Sequence, residues 1–254
     1  MSKLGGAEQF QRLSADEQAC YLAINREMVR LARDHAVPII FAPPLSIGGR
    51  INGASGCVIQ LARGTFVVTA SHVVLGYEQR LERGEILNWQ VGNLPPFDPL
   101  ARIVWRDKEN DIVLLGISRE EASNIGPCLI SAPPTWPPPV PKAGQLVLVG
   151  GYPKSLREEA LAPGWIGSGP YSAIFRVTLA EDCKFKCAIE RRDLISFEGP
   201  LPASGIDMGG LSGGPVLLVD ILSYPVVGIV TGRCNMGIAD LEIIEIASLA
   251  CIRL

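Results

Sequence analysis

GGLSGGPV, residues 209–216, sets a single hydroxyl, Ser212, among four glycines. Glycine tolerates positive φ without steric cost, so such a run can turn tightly and aim several backbone N–H groups into one small volume. Donors fixed where negative charge develops are what an oxyanion requires, and a hydroxyl in their midst reads as a nucleophile. A phosphate loop fits the run poorly. No Lys follows as in a Walker A motif, and the next segment, GPVLLV, is strand-like rather than helical. The same strand separates it from the G-x-S-x-G elbow, which leads from strand into helix.

A serine hydroxyl is a weak nucleophile at neutral pH and needs a base. The chain has two histidines. His35 closes a helical stretch, where its side chain suits the exposed carbonyls of a helix end. His72 instead follows an apolar strand in TFVVTASHVV (65–74), where the small residues Thr69, Ala70 and Ser71 let the chain turn out of the strand. Further on, NDIVLLGI (110–117) opens an apolar run with Asp111.

The rest of the chain is organised around short apolar runs. CVIQL (57–61), TFVVTA (65–70), ARIVW (101–105) and DIVLLGI (111–117) read as strands, as do QLVLVGGY (145–152), YSAIFRVTL (171–179), KCAIE (186–190), GPVLLV (214–219) and PVVGIVTG (225–232). Between the two groups lies SAPPTWPPPVPKAG (131–144), where six of fourteen residues are proline; it reads as an extended linker that cannot join a central strand. Residues 14–35 are the one clear helix. Ser14 with Glu17 is a capping-box pattern, and Tyr21, Ile24, Met28, Leu31 and His35 recur at helical spacing. The expected units are thus an N-terminal helical arm (1–50), a first β-rich half (51–130), the linker (131–144) and a second β-rich half with a C-terminal segment (145–254). The 240–252 stretch reads as a closing strand plus a helix.

Composition excludes several function classes. The net charge is −3 over 254 residues, so the basic excess that marks nucleic-acid binding is absent. No run approaches the ~18 apolar residues of a membrane helix, and MSKLGGAEQFQRLSADEQ has no apolar centre of the kind a secretory leader carries. The seven cysteines are odd in number without a repeating spacing, and are expected to be mostly reduced thiols in a cytoplasmic protein. Cys183 and Cys187 are spaced like two metal ligands, but no His or second Cys pair lies near them, so no metal and no cofactor is expected.

TASHVV, NDIVLLGI and GLSGGPV, in this order, resemble the His, Asp and Ser motifs of the trypsin-like (chymotrypsin-fold) serine proteases. SGCVIQL (55–61) resembles the strand before the family's His motif. PPVPKAGQLVLVGGYP (138–153) resembles its inter-barrel linker and next strand, and PVVGIVTG (225–232) the strand walling its substrate cleft. The resemblance spans roughly residues 50–254 and leaves the N-terminal fifty outside. It implies an all-β fold of two packed six-stranded antiparallel barrels, here with an N-terminal helical arm and a short C-terminal helix. It further implies a stand-alone intracellular serine endopeptidase with His72, Asp111 and Ser212 as catalytic triad. Asp111 is preferred over Asp107 and Glu109 because it heads an apolar strand, where it can be buried beside His72, whereas those two sit in the polar turn RDKEN. The N–H groups of Gly210 and Ser212 would form the oxyanion hole.

Two departures bear on regulation. Secreted members carry Asp before the nucleophile, paired with a cleaved N-terminus; Leu211 stands here and cannot make that ion pair. They also pair the cysteine at the Cys57 position with one directly after the catalytic His, where this chain has Val73. Specificity is less legible. Ile206 occupies the position at which trypsin places its acidic pocket base, with Asp207 next to it, and Thr231, Gly232 and Arg233 would line the cleft entrance. The expected partner is a protein or peptide substrate, with a regulatory protein partner as a further candidate. Two other readings compete: a protease-fold binding or regulatory module with weak or no turnover, and a hydrolase of esters or small acyl substrates on the same site.

Overall fold

Apolar runs split by turn residues become the strands of two six-stranded antiparallel sheets in the computed structural model, which describes residues 10–44, 49–126, 128, 130–132, 135–159, 166–190, 209–220, 224–235 and 241–253. The first sheet contains β1 (Ala36–Ala42), β2 (Asn52–Leu61), β3 (Gly64–Ala70), β4 (Asn88–Val91), β5 (Ile103–Asp107) and β6 (Ile112–Ile117), in the order β4-β1-β2-β3-β6-β5. The second contains β7 (Leu146–Gly151), β10 (Tyr171–Ala180), β11 (Lys184–Glu190), β12 (Pro215–Leu218), β13 (Val226–Asn235) and β14 (Leu241–Ser248). It closes as β10-β11-β14-β13-β12-β7, with β8 (Arg157–Glu159) and β9 (Ile166–Ser168) as a separate two-stranded ribbon.

Closure distinguishes the halves. The second is a closed barrel; the first, expected to be a barrel as well, is a six-stranded sheet whose edge strands β4 and β5 do not pair with one another. Their shortness, four and five residues, limits how far either ladder extends. Period-two burial then builds the cores. Val147 and Val149, Phe175 and Val177, and Ile244 and Ile246 fill the second barrel, while Trp89, Ile39, Ile59, Ile112 and Leu114 fill the first half. Each fully buried aliphatic side chain of this kind contributes roughly 1.5–3 kcal/mol.

Three helices are described: α1 (Ala15–Asp34), α2 (Ser71–Glu82) and α3 (Arg119–Asn124). The capping box of α1 forms as its sequence implies, with Glu17 Oε2 accepting from the Ser14 N–H at 2.8 Å and the Ser14 hydroxyl accepting from the Glu17 N–H at 3.3 Å. Its docked face is rotated from the expected one. Asn25 and Ala32 are buried and Met28 half-buried, whereas Tyr21 and Ile24 are exposed. The cause is a close backbone approach: a Cβ on Gly150 of β7 would lie 2.2 Å from the Ala32 carbonyl oxygen, so the helix sits where small residues meet. The arm thereby braces the second barrel.

The segment directly after it, read from sequence as part of the arm, is β1 and lies between β2 and β4. Pro38 is accommodated because the β4 ladder begins only at Ile39. At the other terminus the expected short C-terminal helix is a single 3₁₀ turn (Leu249–Cys251) following β14. Its end is held by a Cys183–Cys251 disulfide, against the expectation of reduced thiols; Cys20, Cys57, Cys128 and Cys187 are thiols outside that bond. Among the described residues no helix is long and apolar enough to cross a membrane.

Candidate active site

His72 stands in the first turn of α2, one residue after that helix begins at the end of β3. Ala70 provides no side-chain cap, so the first N–H groups of α2 need other acceptors. Asp111 supplies them: its carbonyl accepts from the Ser71 N–H at 3.1 Å and its Oδ1 from the His72 N–H at 2.8 Å. The second carboxylate oxygen, Oδ2, lies 2.7 Å from His72 Nδ1. An ionised carboxylate only accepts, so Nδ1 carries the proton and Nε2 is left with its lone pair. The His72 side chain is 46% exposed and that of Asp111 24%, so the pair faces solvent on the imidazole side.

The backbone of Asp111 has φ +59°, in the left-handed region that Asp tolerates better than most residues. Two anchors hold its surroundings. Asp107 caps the preceding turn, accepting from the N–H groups of Glu109 and Asn110 at 2.9 Å each and from Asn110 Nδ2 at 2.7 Å. Partial burial raises the Asp107 pKa, but these bonds and Lys184 together hold it below the usual carboxylate value. Lys184 Nζ, from the second barrel, donates to the Glu109 carbonyl at 2.8 Å. On the other flank Arg106 of β5 grips α2, its Nε donating to Ser71 Oγ at 2.8 Å and its Nη1 and Nη2 to the Glu78 carboxylate at 2.7 and 3.0 Å. Such a bidentate pair fixes orientation as well as distance.

Ser212 lies on the turn that enters β12. The four carbonyls along 209–212 are each anchored: Gly209 O by the Lys154 N–H, Gly210 O by Ser55 Oγ at 2.7 Å, Leu211 O by the Gly214 N–H at 2.8 Å, and Ser212 O by the Ser55 N–H at 2.9 Å. A planar trans peptide directs its N–H opposite to its C=O. Anchoring the Gly209 and Leu211 carbonyls therefore points the N–H groups of Gly210 and Ser212 away from the anchoring Lys154 and Gly214 N–H donors. Leu211, where secreted relatives of the resembled family carry Asp, is 4% exposed in the second core and fixes the turn by packing. Gly213 has φ +86°, and a Cβ there would lie 2.1 Å from Ser55 O and 2.2 Å from Thr69 Oγ1. The Ser212 turn is thus pressed against the end of β3, three residues before His72.

The expected substrate-binding residues separate into two groups. Thr231, Gly232 and Arg233 lie on β13, directly after Val230, which pairs with the Ser212 turn: Gly213 N–H to Val230 O at 2.7 Å and Val230 N–H to Gly214 O at 2.9 Å. Thr231 Oγ1 donates to the Glu245 carbonyl at 3.3 Å, and Gly232 and Arg233 stand in register with Glu245 and Ile244. Ile206 and Asp207 lie outside the described residues. Thiol alternatives to Ser212 are poorly suited: burial raises the Cys57 pKa and pushes that of Cys128 to about 12, and a thiol held protonated is a weak nucleophile. Ser55 and Arg106 escape a reading of sequence. Ser55 is one small residue inside an apolar strand, and its partners Gly210 and Ser212 lie 155 and 157 positions away.

No protein-family model matches the chain, and no curated protein matches it in sequence. Among solved structures, the chain is similar to the Rv3671c protease from M. tuberculosis in its active form, at 19% identity and a TM-score of 0.47, over 85% of this chain and 78% of that one. It is also similar to the thermostable serine protease AL20 from an extremophilic microorganism (14% identity, TM-score 0.46, 83% of this chain and 90% of that one). A third is the protease Anisep from Arthrobacter nicotinovorans (15% identity, TM-score 0.46, 85% of this chain and 90% of that one).

Proposed function

We propose that the chain is a serine endopeptidase of chymotrypsin-like architecture, in which the open sheet and the closed barrel stand for the two barrels of that fold. Ser212 Oγ attacks the scissile carbonyl, and His72 Nε2 takes its proton and returns it to the leaving amine. Asp111 keeps the proton on Nδ1 and stabilises the imidazolium. The N–H groups of Gly210 and Ser212 bind the oxyanion, and water resolves the acyl-enzyme through the same histidine. The observation that carries the reading is the double engagement of Asp111, with one carboxylate oxygen on the His72 N–H at 2.8 Å and the other on Nδ1 at 2.7 Å. An extended peptide would run beside β13, where Thr231, Gly232 and Arg233 follow the strand residue bonded to the nucleophile turn, with Ile206 and Asp207 as the further pocket candidates. This chemistry needs no metal or cofactor.

Digestion of a peptide library by the full chain, with Ser212→Ala as control, tests the function. Internal cleavages that disappear in Ser212→Ala are expected. Hydrolysis of activated esters without peptide cleavage would move the assignment to small acyl substrates, and inertness toward both would make the chain a binding module.

A further inference from the structure

We propose that Ser55 is the positioning residue of the oxyanion site, holding the nucleophile turn in its competent shape without touching substrate. The inference rests on the reading of Ser212 as nucleophile.

Ser55 belongs to β2 in the first half, has no exposed surface, and directs its polar groups at the junction of the two halves. Its N–H donates to Ser212 O at 2.9 Å and its hydroxyl to Gly210 O at 2.7 Å. The same hydroxyl accepts from the Tyr152 N–H at 2.8 Å, and the Ser55 carbonyl accepts from Thr69 Oγ1 at 2.7 Å. A serine hydroxyl has one proton to give, and here that proton goes to the turn.

The two carbonyls held by Ser55 alternate with the two whose peptides carry the oxyanion donors. Gly210 has φ +102° and, being glycine, moves between conformations at little steric cost. Ser55 Oγ holds the Gly210–Leu211 peptide by its carbonyl, and that peptide lies between the two, Gly209–Gly210 and Leu211–Ser212, whose N–H groups are the oxyanion donors. Removal of the hydroxyl leaves the Gly210 carbonyl and the Tyr152 N–H without this partner, and an orphaned buried group drives rearrangement. Thr69 extends the tie to the strand that leads into His72, so one residue sets the nucleophile turn relative to the base.

The test is Ser55→Ala in the full chain, read by peptide kinetics, by binding of a peptide boronic acid that forms a tetrahedral adduct, and by melting temperature. Cys57→Ala, two residues along the same strand in the core, serves as comparator. Ser55→Ala should lower kcat roughly 10–100-fold, below the 10²–10³ of deleting an oxyanion donor outright. KM should stay within about twofold, and boronate affinity should fall in parallel with kcat/KM. Cys57→Ala should lower the melting temperature while kcat, measured well below it, is retained. If Ser55→Ala does not fold, Thr69→Val decides, with a smaller loss of the same kind expected. A kcat within twofold of wild type, or a loss shared equally by Cys57→Ala, overturns the proposal. Full turnover by Ser212→Ala would instead overturn the reading beneath it.

Discussion

Asp111 shows how much chemistry one carboxylate can arrange, since it caps α2, orients His72 and fixes the tautomer in a single placement. Groups acting as one unit do not contribute additively. Ser212→Ala and His72→Ala should therefore each reduce kcat to a similar residual level, with the double variant little worse, as read by steady-state kinetics on a peptide substrate. Asp111→Asn, which favours the other tautomer, should cost about 10⁴-fold in kcat. Additive losses in the double variant would mean that the residues work separately. The pairing of His72 with Asp111 was legible because both sit in local patterns of small and apolar residues. Arg106 and Lys184 were not, because their work is defined by partners 28 and 75 positions away.

Among elements, α1 was the most legible and also the most instructive. Its extent and cap follow from Ser14 and Glu17, but its docked face was set by how closely Ala32 and Gly150 can approach, which periodicity does not encode. β1 was missed because Pro38 argues against a central strand until the short ladder to β4 is known. His35, at the joint between α1 and β1, carries a pH prediction. Burial lowers its pKa, against the opposing pull of the Leu31 carbonyl, bonded to Nδ1 at 2.9 Å, and of Asp34. The unfolded chain then protonates first as pH falls through about 6.5, and stability declines from there downward. Melting curves from pH 8 to pH 5 should fall more steeply for wild type than for His35→Gln, the two being parallel above about pH 7.5. A steeper fall in the variant would contradict this account.

At the scale of the whole molecule, the two halves meet through the nucleophile turn, and the C-terminal segment is tied back to the β10–β11 connection by Cys183–Cys251. The sequence offered seven cysteines and no repeating spacing, so the pairing, across 68 positions, became visible only when the second barrel closed. Closing a loop of that length stabilises by about 4 kcal/mol in the chain-entropy account, so reduction should lower the melting temperature by roughly 10 °C. An unchanged transition in dithiothreitol would argue against the bond. The order of strands was readable in outline, whereas the openness of the first sheet was not, since it depends on how far two short edge strands extend. The central claim is that these halves assemble a working nucleophile at Ser212. It is tested most directly by reacting the full chain with a fluorophosphonate and locating the adduct by mass spectrometry. One adduct on Ser212 is predicted, lost in Ser212→Ala and strongly slowed in His72→Ala; an adduct elsewhere, or none, would contradict it.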